Sequence, residues 1–127
     1  DVSATIVDIV RRRFSSFPSK RFFHASELES QSLQPADLTL SLDVIYHLVD
    51  DAELHEYVAS LFVYASRYVI IYSNHADVDD VTWIHVRRRN LRNVVSKFTK
   101  VWDLIAEHKR PSDGVSADKS FFVFQRR

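Results

Sequence analysis

Two polar side chains follow a short strand pattern near the middle of the chain. Leucines alternate with hydroxyl residues over positions 38–42, and Asp43 and His47 then stand four residues apart. Open α/β sheets form their ligand crevices where strands end in polar loops of this kind. With an ordinary pKa of about 6.5, His47 can take a proton from a bound hydroxyl near neutral pH. The pattern predicts a catalytic turn with His47 as general base and Asp43 beside it; alternatively, His47 only shapes the pocket.

Helix and strand patterns alternate around this turn. Apolar residues recur at helical spacing after Asp50 and Asp51, either of which suits the helix N-cap. Two further helices are predicted, at residues 1–14 with Ser3 as a suitable N-cap and at residues 89–98. Strands are predicted at residues 20–25, 37–42, 67–73, 102–108 and 120–125, and loops at residues 26–36, 74–86 and 111–118. The pattern predicts an α/β sandwich with a mostly parallel sheet that ends in an antiparallel hairpin.

The strand at residues 67–73 contains a continuous run of β-branched residues, Val69, Ile70 and Ile71. Continuous runs of this type are typical of strands that are buried on both faces of a parallel sheet. We therefore expect this strand to lie inside the sheet with both faces covered.

Composition narrows the possible functions. The 127 residues suffice for one domain with its own core. Basic and acidic residues balance at 17 each, so no overall field attracts a polyanion and nucleic acid is not the expected partner. The absence of cysteine excludes disulfides, thiolate metal sites and cysteine nucleophiles. No apolar run reaches the roughly 20 residues of a membrane span, and no signal-peptide pattern is present; a cytoplasmic protein is the expectation.

Two residue types are scarce in the sequence. Gly114 is the only glycine, and methionine is absent even from position 1. The opening residues Asp1-Val2-Ser3 are typical of the interior of a protein. We therefore expect a fragment of a longer chain, and the alternative is a processed or simply glycine-poor domain.

With these elements placed, the whole chain resembles the C-terminal two-thirds of the class I S-adenosylmethionine-dependent methyltransferases, which are Rossmann-like three-layer sandwiches. Residues 36–48 (ADLTLSLDVIYHL) resemble the fourth strand and the catalytic-side turn of that family. Residues 22–26 (FFHAS) resemble the third strand and its adenine-contacting tip, and residues 67–73 the fifth strand. Residues 102–125 resemble the antiparallel sixth and seventh strands. The family's first strand and glycine-rich loop have no counterpart in this sequence.

The resemblance implies a binding site for S-adenosylmethionine. Asp1, at the acidic end of the second strand, would accept hydrogen bonds from both ribose hydroxyls, and Val2 would flank the adenine. His24, Ala25 and Ser26 would lie at the adenine, where the family commonly has an acid that is missing here. The alternative for His24 is an exposed surface position without a ligand.

The turn after the central strand would serve both the cofactor and the acceptor. Ser41 and Leu42 would contact the cofactor through their backbone, while Asp43 and His47 would face the acceptor. The resemblance thus implies methyl transfer to an oxygen or nitrogen atom of a small molecule. It implies this for the parent of a fragment, whereas a complete chain without the glycine-rich loop would not be expected to transfer methyl groups.

Some relatives bind a divalent metal in this turn through carboxylates and histidines. Asp43 and His47 could be joined there by His85, and such a set could hold Zn²⁺. The pattern is incomplete, because Tyr46 occupies a position where those relatives carry a glutamate. We therefore predict no metal among the site residues.

Two other functions are open. A non-catalytic domain of the same fold would leave a sheet edge that a partner or a second copy covers. A basic stretch could instead bind RNA phosphates, although we expect it to be the solvated face of the third helix. Its members are Arg87, Arg88, Arg89, Arg92, Lys97 and Lys100.

Overall fold

The computed structural model describes residues 1–28, 33–74, 80–110 and 119–127. The chain divides into two compact units, Asp1–Gln34 and Pro35–Arg127, and each is described by itself. The single domain expected from the chain length stays a prediction. The loop predicted around Gly114 lies outside the described residues.

The first unit is built on helix α1, Ala4–Arg13. The Ser3 hydroxyl caps this helix by accepting a hydrogen bond from the backbone N–H of Ile6 at 3.3 Å. Arg11, Arg12 and Arg13 occupy its last turn, where cations interact favourably with the helix dipole. The observed cap confirms the prediction of Ser3 as the N-cap.

The prediction of a strand at residues 20–25 is wrong. Residues 20–24 form no regular element, and Ala25–Glu27 form one turn of 3-10 helix. The Asp1 nitrogen donates to the Phe23 carbonyl at 3.0 Å, and the Ala25 N–H donates to the Asp1 carbonyl at 2.8 Å. These two bonds flank His24 in the manner of a parallel ladder. A strand needs several such residues in succession, whereas in the described residues only Asp1 pairs in this way.

The second unit contains six strands and two α-helices among its described residues. The strands are β1 (Ala36–Leu42), β2 (Ala65–Asn74), β3 (Asp80–Trp83), β4 (Val86–Arg88), β5 (Trp102–Lys109) and β6 (Lys119–Arg126). The helices are α2 (Asp51–Val63) and α3 (Leu91–Val95), the latter continued by a 3-10 turn over Ser96–Phe98. The predicted elements of this unit are confirmed, apart from the hairpin formed by β3 and β4.

The main sheet has the order β1-β2-β6-β5. Strand β1 pairs parallel with β2, and β6 pairs antiparallel with both β2 and β5. The expected antiparallel hairpin at the end of the chain is therefore present, and β6 is inserted between β2 and β5.

Helix α2 begins where the sequence predicted. The Asp50 carboxylate caps it by accepting from the Glu53 N–H at 2.9 Å. Its buried residues follow helical spacing and pack with β2, α3 and β6 in one hydrophobic core. The core residues are Ile45, Leu54, Val58, Leu61, Phe62, Ala65, Val69, Ile71, Leu91, Val94, Val95, Trp102, Phe122 and Phe124.

The strand β2 is not equally buried on its two faces. Val69 and Ile71 are fully buried in the core, whereas Ile70 between them is half-buried. The prediction of two fully covered faces is therefore wrong. The reason is visible in the pairing, because Ile70 stands beside Leu40, which is itself exposed on β1.

In β1 the hydroxyl residues face the core and the leucines do not. The Thr39 hydroxyl donates to the Leu61 carbonyl of α2 at 2.9 Å, and Ser41 is buried. Leu38, Leu40 and Leu42 remain exposed. Side chains alternate between the two faces of a strand. Because Thr39 and Ser41 bond to α2 on the core side, the leucines between them lie on the opposite face.

The prediction of a loop over residues 74–86 is partly wrong. Asp80–Trp83 and Val86–Arg88 pair as an antiparallel hairpin, which the β-forming residues Val81, Thr82 and Trp83 favour. Residues 75–79 lie outside the described part of the chain. No helix of the described residues is long and apolar enough to span a membrane.

Candidate functional site

The turn after β1 adopts an unusual backbone conformation. Asp43 has a φ of 60°, the left-handed region that aspartate and asparagine tolerate best among non-glycine residues. Its N–H donates to the Tyr72 carbonyl at 2.9 Å, which ties the turn to β2. Buried Ile45 anchors the 3-10 turn that follows, Ile45–His47. This bend places the predicted catalytic residues at the carboxyl ends of the two parallel strands.

Asp43 forms an ion pair with the first residue of β6. The Lys119 ammonium donates to Asp43 Oδ1 at 2.7 Å and to the Tyr46 hydroxyl at 3.4 Å. The same nitrogen lies 5.0 Å from the Tyr46 ring centre and 5.6 Å from that of Tyr72. Tyr72 in turn stacks on Phe121 at 4.4 Å. The turn thus holds one cation between a carboxylate and two aromatic faces.

The electrostatics of this cluster favour a charged Lys119. Partial burial by itself would lower its pKa, but the hydrogen bonds to Asp43 and Tyr46 outweigh that effect. The pKa of Lys119 is therefore raised above its ordinary value. The ammonium is a permanent cation at neutral pH.

His47 takes different partners from Asp43. Its Nδ1 lies 3.3 Å from the His85 carbonyl oxygen, and the two imidazole rings stack 6.3 Å apart with their planes within 10° of parallel. A carbonyl oxygen only accepts hydrogen bonds, so Nδ1 carries the proton in this contact. The lone pair is then on Nε2, which is the atom that can accept a proton.

The groups considered for a metal do not converge. His47 and His85 are neighbours, but Asp43 is engaged by Lys119. Among the described residues, no three metal-ligating side chains form a cluster.

An arginine missed as a functional residue fixes the segment after His47. The Arg89 side chain is only 3% exposed and donates to the carbonyls of Leu48 at 2.7 Å and Val49 at 2.8 Å. It also donates to Asp51 Oδ1, from Nε at 3.2 Å and from Nη2 at 3.0 Å. Arg87 binds the same carboxylate at 3.0 Å. The hydrogen bond from Arg87, reinforced by that from Arg89, holds the pKa of Asp51 below its usual value despite partial burial.

The basic stretch is only in part a solvated helix face: Arg92, Lys97 and Lys100 are exposed in or directly after the helical segment, but the other three arginines are not part of it. Arg87 and Arg88 belong to β4, and Arg89 is buried because it bonds the loop before α2. Arg92 forms an ion pair with Glu107 of β5. These pairings leave less free positive charge for RNA than the sequence alone indicated.

Ser41 and Leu42 stand at the end of β1 on opposite faces. Ser41 is 1% exposed, and its hydroxyl accepts a hydrogen bond from Tyr57 of α2 at 3.0 Å. Burial raises the pKa of Tyr57, and the bond to Ser41 offsets part of that effect. Leu42 is exposed. The Ser41 side chain is thus used inside the core, which leaves its backbone as the group that a ligand can contact.

The five residues predicted for the adenosine side lie together in the first unit. The His24 Nε2 lies 2.9 Å from the Val2 carbonyl, and Nδ1 lies 2.7 Å from the Ser26 hydroxyl. His24 is therefore not a free surface side chain, since both of its ring nitrogens have partners. The bonds of Asp1 to Phe23 and Ala25 bring its backbone to the same segment, and Asp1 Oδ1 accepts from the Ser3 N–H at 2.8 Å.

A further acid beside His24 escaped the sequence analysis. Glu27 Oε2 accepts from the His24 N–H at 2.8 Å and from Arg11 at 2.7 Å. The backbone hydrogen bond from His24 is the main reason that the pKa of Glu27 is lowered, with Arg11 adding to it and partial burial opposing it. The spacing of His24 and Glu27, typical of a capping box, was the available signal.

Solved methyltransferase structures share this arrangement of elements. The chain matches the N-methyltransferase NodS from Bradyrhizobium japonicum WM9 with a TM-score of 0.72 and 15% identity, over 99% of this chain and 70% of that one. NodS in complex with S-adenosyl-L-homocysteine matches with a TM-score of 0.73 and 14% identity, over 99% of this chain and 64% of that one. The magnesium protoporphyrin IX methyltransferase ChlM from Synechocystis PCC 6803 with bound S-adenosylmethionine matches with a TM-score of 0.68 and 13% identity. This match covers 100% of this chain and 57% of that one. No protein-family model and no curated protein sequence matches the chain.

These likenesses show the fold. The chain has the Rossmann-like fold of the class I S-adenosylmethionine-dependent methyltransferases, which confirms the predicted fold class. It spans between 57 and 70% of the length of the solved structures named above.

Proposed function

We propose that this chain is part of a methyltransferase that uses S-adenosylmethionine to methylate an oxygen or nitrogen atom of a small molecule. The observation that carries the proposal is the bent turn after β1, where Asp43 has a positive φ and polar groups collect at the strand ends. Such a crevice at the carboxyl ends of parallel strands is where open α/β sheets bind ligands. The likeness to structures solved with S-adenosylmethionine or its demethylated product supports the choice of cofactor.

The chemistry of the residues in the first unit fits the adenosine part of this cofactor. Asp1 is exposed and has a carboxylate with two acceptor oxygens, which suits the two neighbouring hydroxyls of a ribose. Val2 is exposed and apolar, as a residue flanking an adenine must be. Ala25 and Ser26 are held close to them by the bonds of Asp1 and His24. The backbone groups of Ser41 and Leu42, at the end of β1, are also proposed as cofactor contacts.

When bound, S-adenosylmethionine supplies a methyl group on a sulfonium that needs no further activation. The acceptor must be aligned with that methyl group and must lose a proton. His47 can take this proton at Nε2, because Nδ1 is committed to the His85 carbonyl. Asp43 stands in the same turn, where it would contact the acceptor.

A second candidate function is supported by the exposed side of β1. This strand is the edge of the described sheet, and Leu38, Leu40 and Leu42 are exposed on it. A non-catalytic interaction domain could cover this edge with a partner or a second copy. Light scattering during size-exclusion chromatography tests it, since a strict monomer at high concentration speaks against self-association.

Calorimetric titration tests the proposed function directly. The protein in its full encoded length is titrated with S-adenosylmethionine and with S-adenosylhomocysteine. Asp1→Ala should weaken binding about tenfold or more, because hydrogen bonds to a charged group contribute about 1.5–3 kcal/mol each. Asp8→Ala, which removes an exposed acid of α1, is the matched control and should bind normally. Absence of binding to both compounds would overturn the proposal.

A further inference from the structure

We propose that Lys119 recognises the methyl acceptor and that this acceptor carries a carboxylate. The inference rests on the proposed function, because it names the class of small molecule bound at the same turn. It is carried by the geometry of Lys119, Asp43, Tyr46 and Tyr72 at the carboxyl ends of β1 and β2.

The ammonium of Lys119 is held in place independently of its ion pair. The Tyr46 and Tyr72 rings lie 5.0 and 5.6 Å from it, and the Tyr46 hydroxyl adds a hydrogen bond at 3.4 Å. Aromatic faces attract cations by about 0.5–2 kcal/mol each, depending on burial. Lys119 begins a strand whose register with β2 is continuous, which fixes the backbone position. The cation is therefore preorganised for an anion that approaches the turn.

Asp43 is the partner that a ligand can replace. Its side chain is 42% exposed, whereas that of Lys119 is 18% exposed. An exposed ion pair contributes only about 0.2–1 kcal/mol, so an incoming carboxylate can take the place of Asp43 at the ammonium. The displaced Asp43 carboxylate would be solvated where it already meets water.

The aromatic residues favour a flat acceptor. Tyr72 stacks on Phe121, which is partly exposed, beside the ammonium. An aromatic ring attached to the carboxylate could stack against Tyr72 and Phe121. Such stacking would increase the affinity of the acceptor. Benzoate is thus expected to bind more tightly than acetate, by about two- to tenfold.

Two substitutions separate recognition from a structural ion pair. If the pair only stabilises the turn, Lys119→Met and Asp43→Asn break the same bond and should affect anion binding in the same direction. If Lys119 binds the anion and Asp43 competes with it, the effects have opposite signs. Asp43→Asn should tighten binding about two- to fivefold, as expected for removal of an exposed competitor. Lys119→Met should abolish it.

The experiment is a titration of the isotope-labelled protein in its full encoded length, without cofactor, followed by amide signals in NMR. The probes are sodium benzoate, acetate and inorganic phosphate at constant ionic strength. Lys119→Arg keeps the cation and should retain binding, which guards against a folding defect in Lys119→Met. Lys97→Met removes an exposed lysine that lies over one ring, that of Phe98, and is the matched control.

Benzoate binding that is lost in Lys119→Met, kept in Lys97→Met and tightened in Asp43→Asn supports the proposal. Weaker benzoate binding in Asp43→Asn, undiminished binding in Lys119→Met, or no binding to the unsubstituted protein overturns it. Phosphate bound more tightly than benzoate overturns the assignment of a carboxylate. Because no cofactor or turnover is involved, failure here is distinguishable from failure of the methyltransferase proposal.

Discussion

Replacement of Arg89 by methionine should destabilise the protein strongly and loosen the loop beside His47. Arg89 is 3% exposed and bonds the carbonyls of Leu48 and Val49, which directly follow His47. Methionine keeps most of the buried volume but removes every donor. The loss therefore measures the hydrogen bonds and the ion pair rather than a cavity.

The expected loss in the free energy of unfolding depends on which polar groups lose a hydrogen-bond partner when Arg89 is replaced. Removal of one member of a fully buried ion pair costs about 3–5 kcal/mol. Asp51 is 57% exposed, so water can solvate its carboxylate once Arg89 is gone, and that cost is discounted. The Leu48 carbonyl adds about 1 kcal/mol when its bond from Arg89 is lost, and the Val49 carbonyl adds less because Arg87 also donates to it at 3.4 Å. We expect the free energy of unfolding to fall by about 2–3 kcal/mol in total.

Urea denaturation measures this difference. With an m-value of about 1.5 kcal/mol per M for a small protein, the midpoint should fall by about 1.5 M. Arg87→Met is the matched control, since Arg87 binds the same carboxylate but is 26% exposed; it should cost about 0–1 kcal/mol. Equal losses in the two variants would refute the argument that Arg89 differs through its burial and its shorter bonds to the loop carbonyls.

Three further predictions concern the elements that position the turn. Asp51→Asn should lower stability at pH 7. The difference from wild type should begin to shrink as the pH falls through about 4, the ordinary pKa of an aspartate, and should disappear only below the lowered pKa of Asp51 in the folded protein, where protonation breaks its ion pairs. Urea midpoints at pH 7 and pH 3 check this, and a difference that does not shrink contradicts it. Tyr57→Phe and Ser41→Ala should show a coupling of about 1 kcal/mol in a double-mutant cycle, since the two hydroxyls are bonded at 3.0 Å; additive losses would count against that bond. Asp50→Ala should cost about 1 kcal/mol in thermal unfolding through loss of the α2 cap, with Asn in its place restoring most of it.

The sequence was sufficient to predict those elements that a regular spacing of apolar residues encodes locally. Leu54, Val58 and Leu61 repeat at helical spacing because one face of α2 is buried, and Asp50 marks the start of that helix. The central strand and the closing hairpin were predicted for similar reasons. The segment at residues 20–25 looked like a strand because Phe22 and Phe23 are good β-formers, but a strand also depends on a partner that is not encoded locally.

The side-chain partners of the site could not be predicted in the same way. Lys119 meets Asp43 across 76 residues, and Arg89 meets Asp51 across 38. No short spacing encodes such pairs, since they depend on strand order and register. The position of Lys119 at the start of the last strand became informative only once β6 was seen to pair with β2.

The central claim is that the turn after β1 contacts S-adenosylmethionine. The most direct measurement is a titration of the isotope-labelled protein, in its full encoded length, with S-adenosylhomocysteine, followed by NMR of the backbone amides. We predict saturable shifts of the Ser41 and Leu42 amides at the end of β1. No saturable shift of these amides, or shifts confined to residues elsewhere in the chain, would contradict the claim.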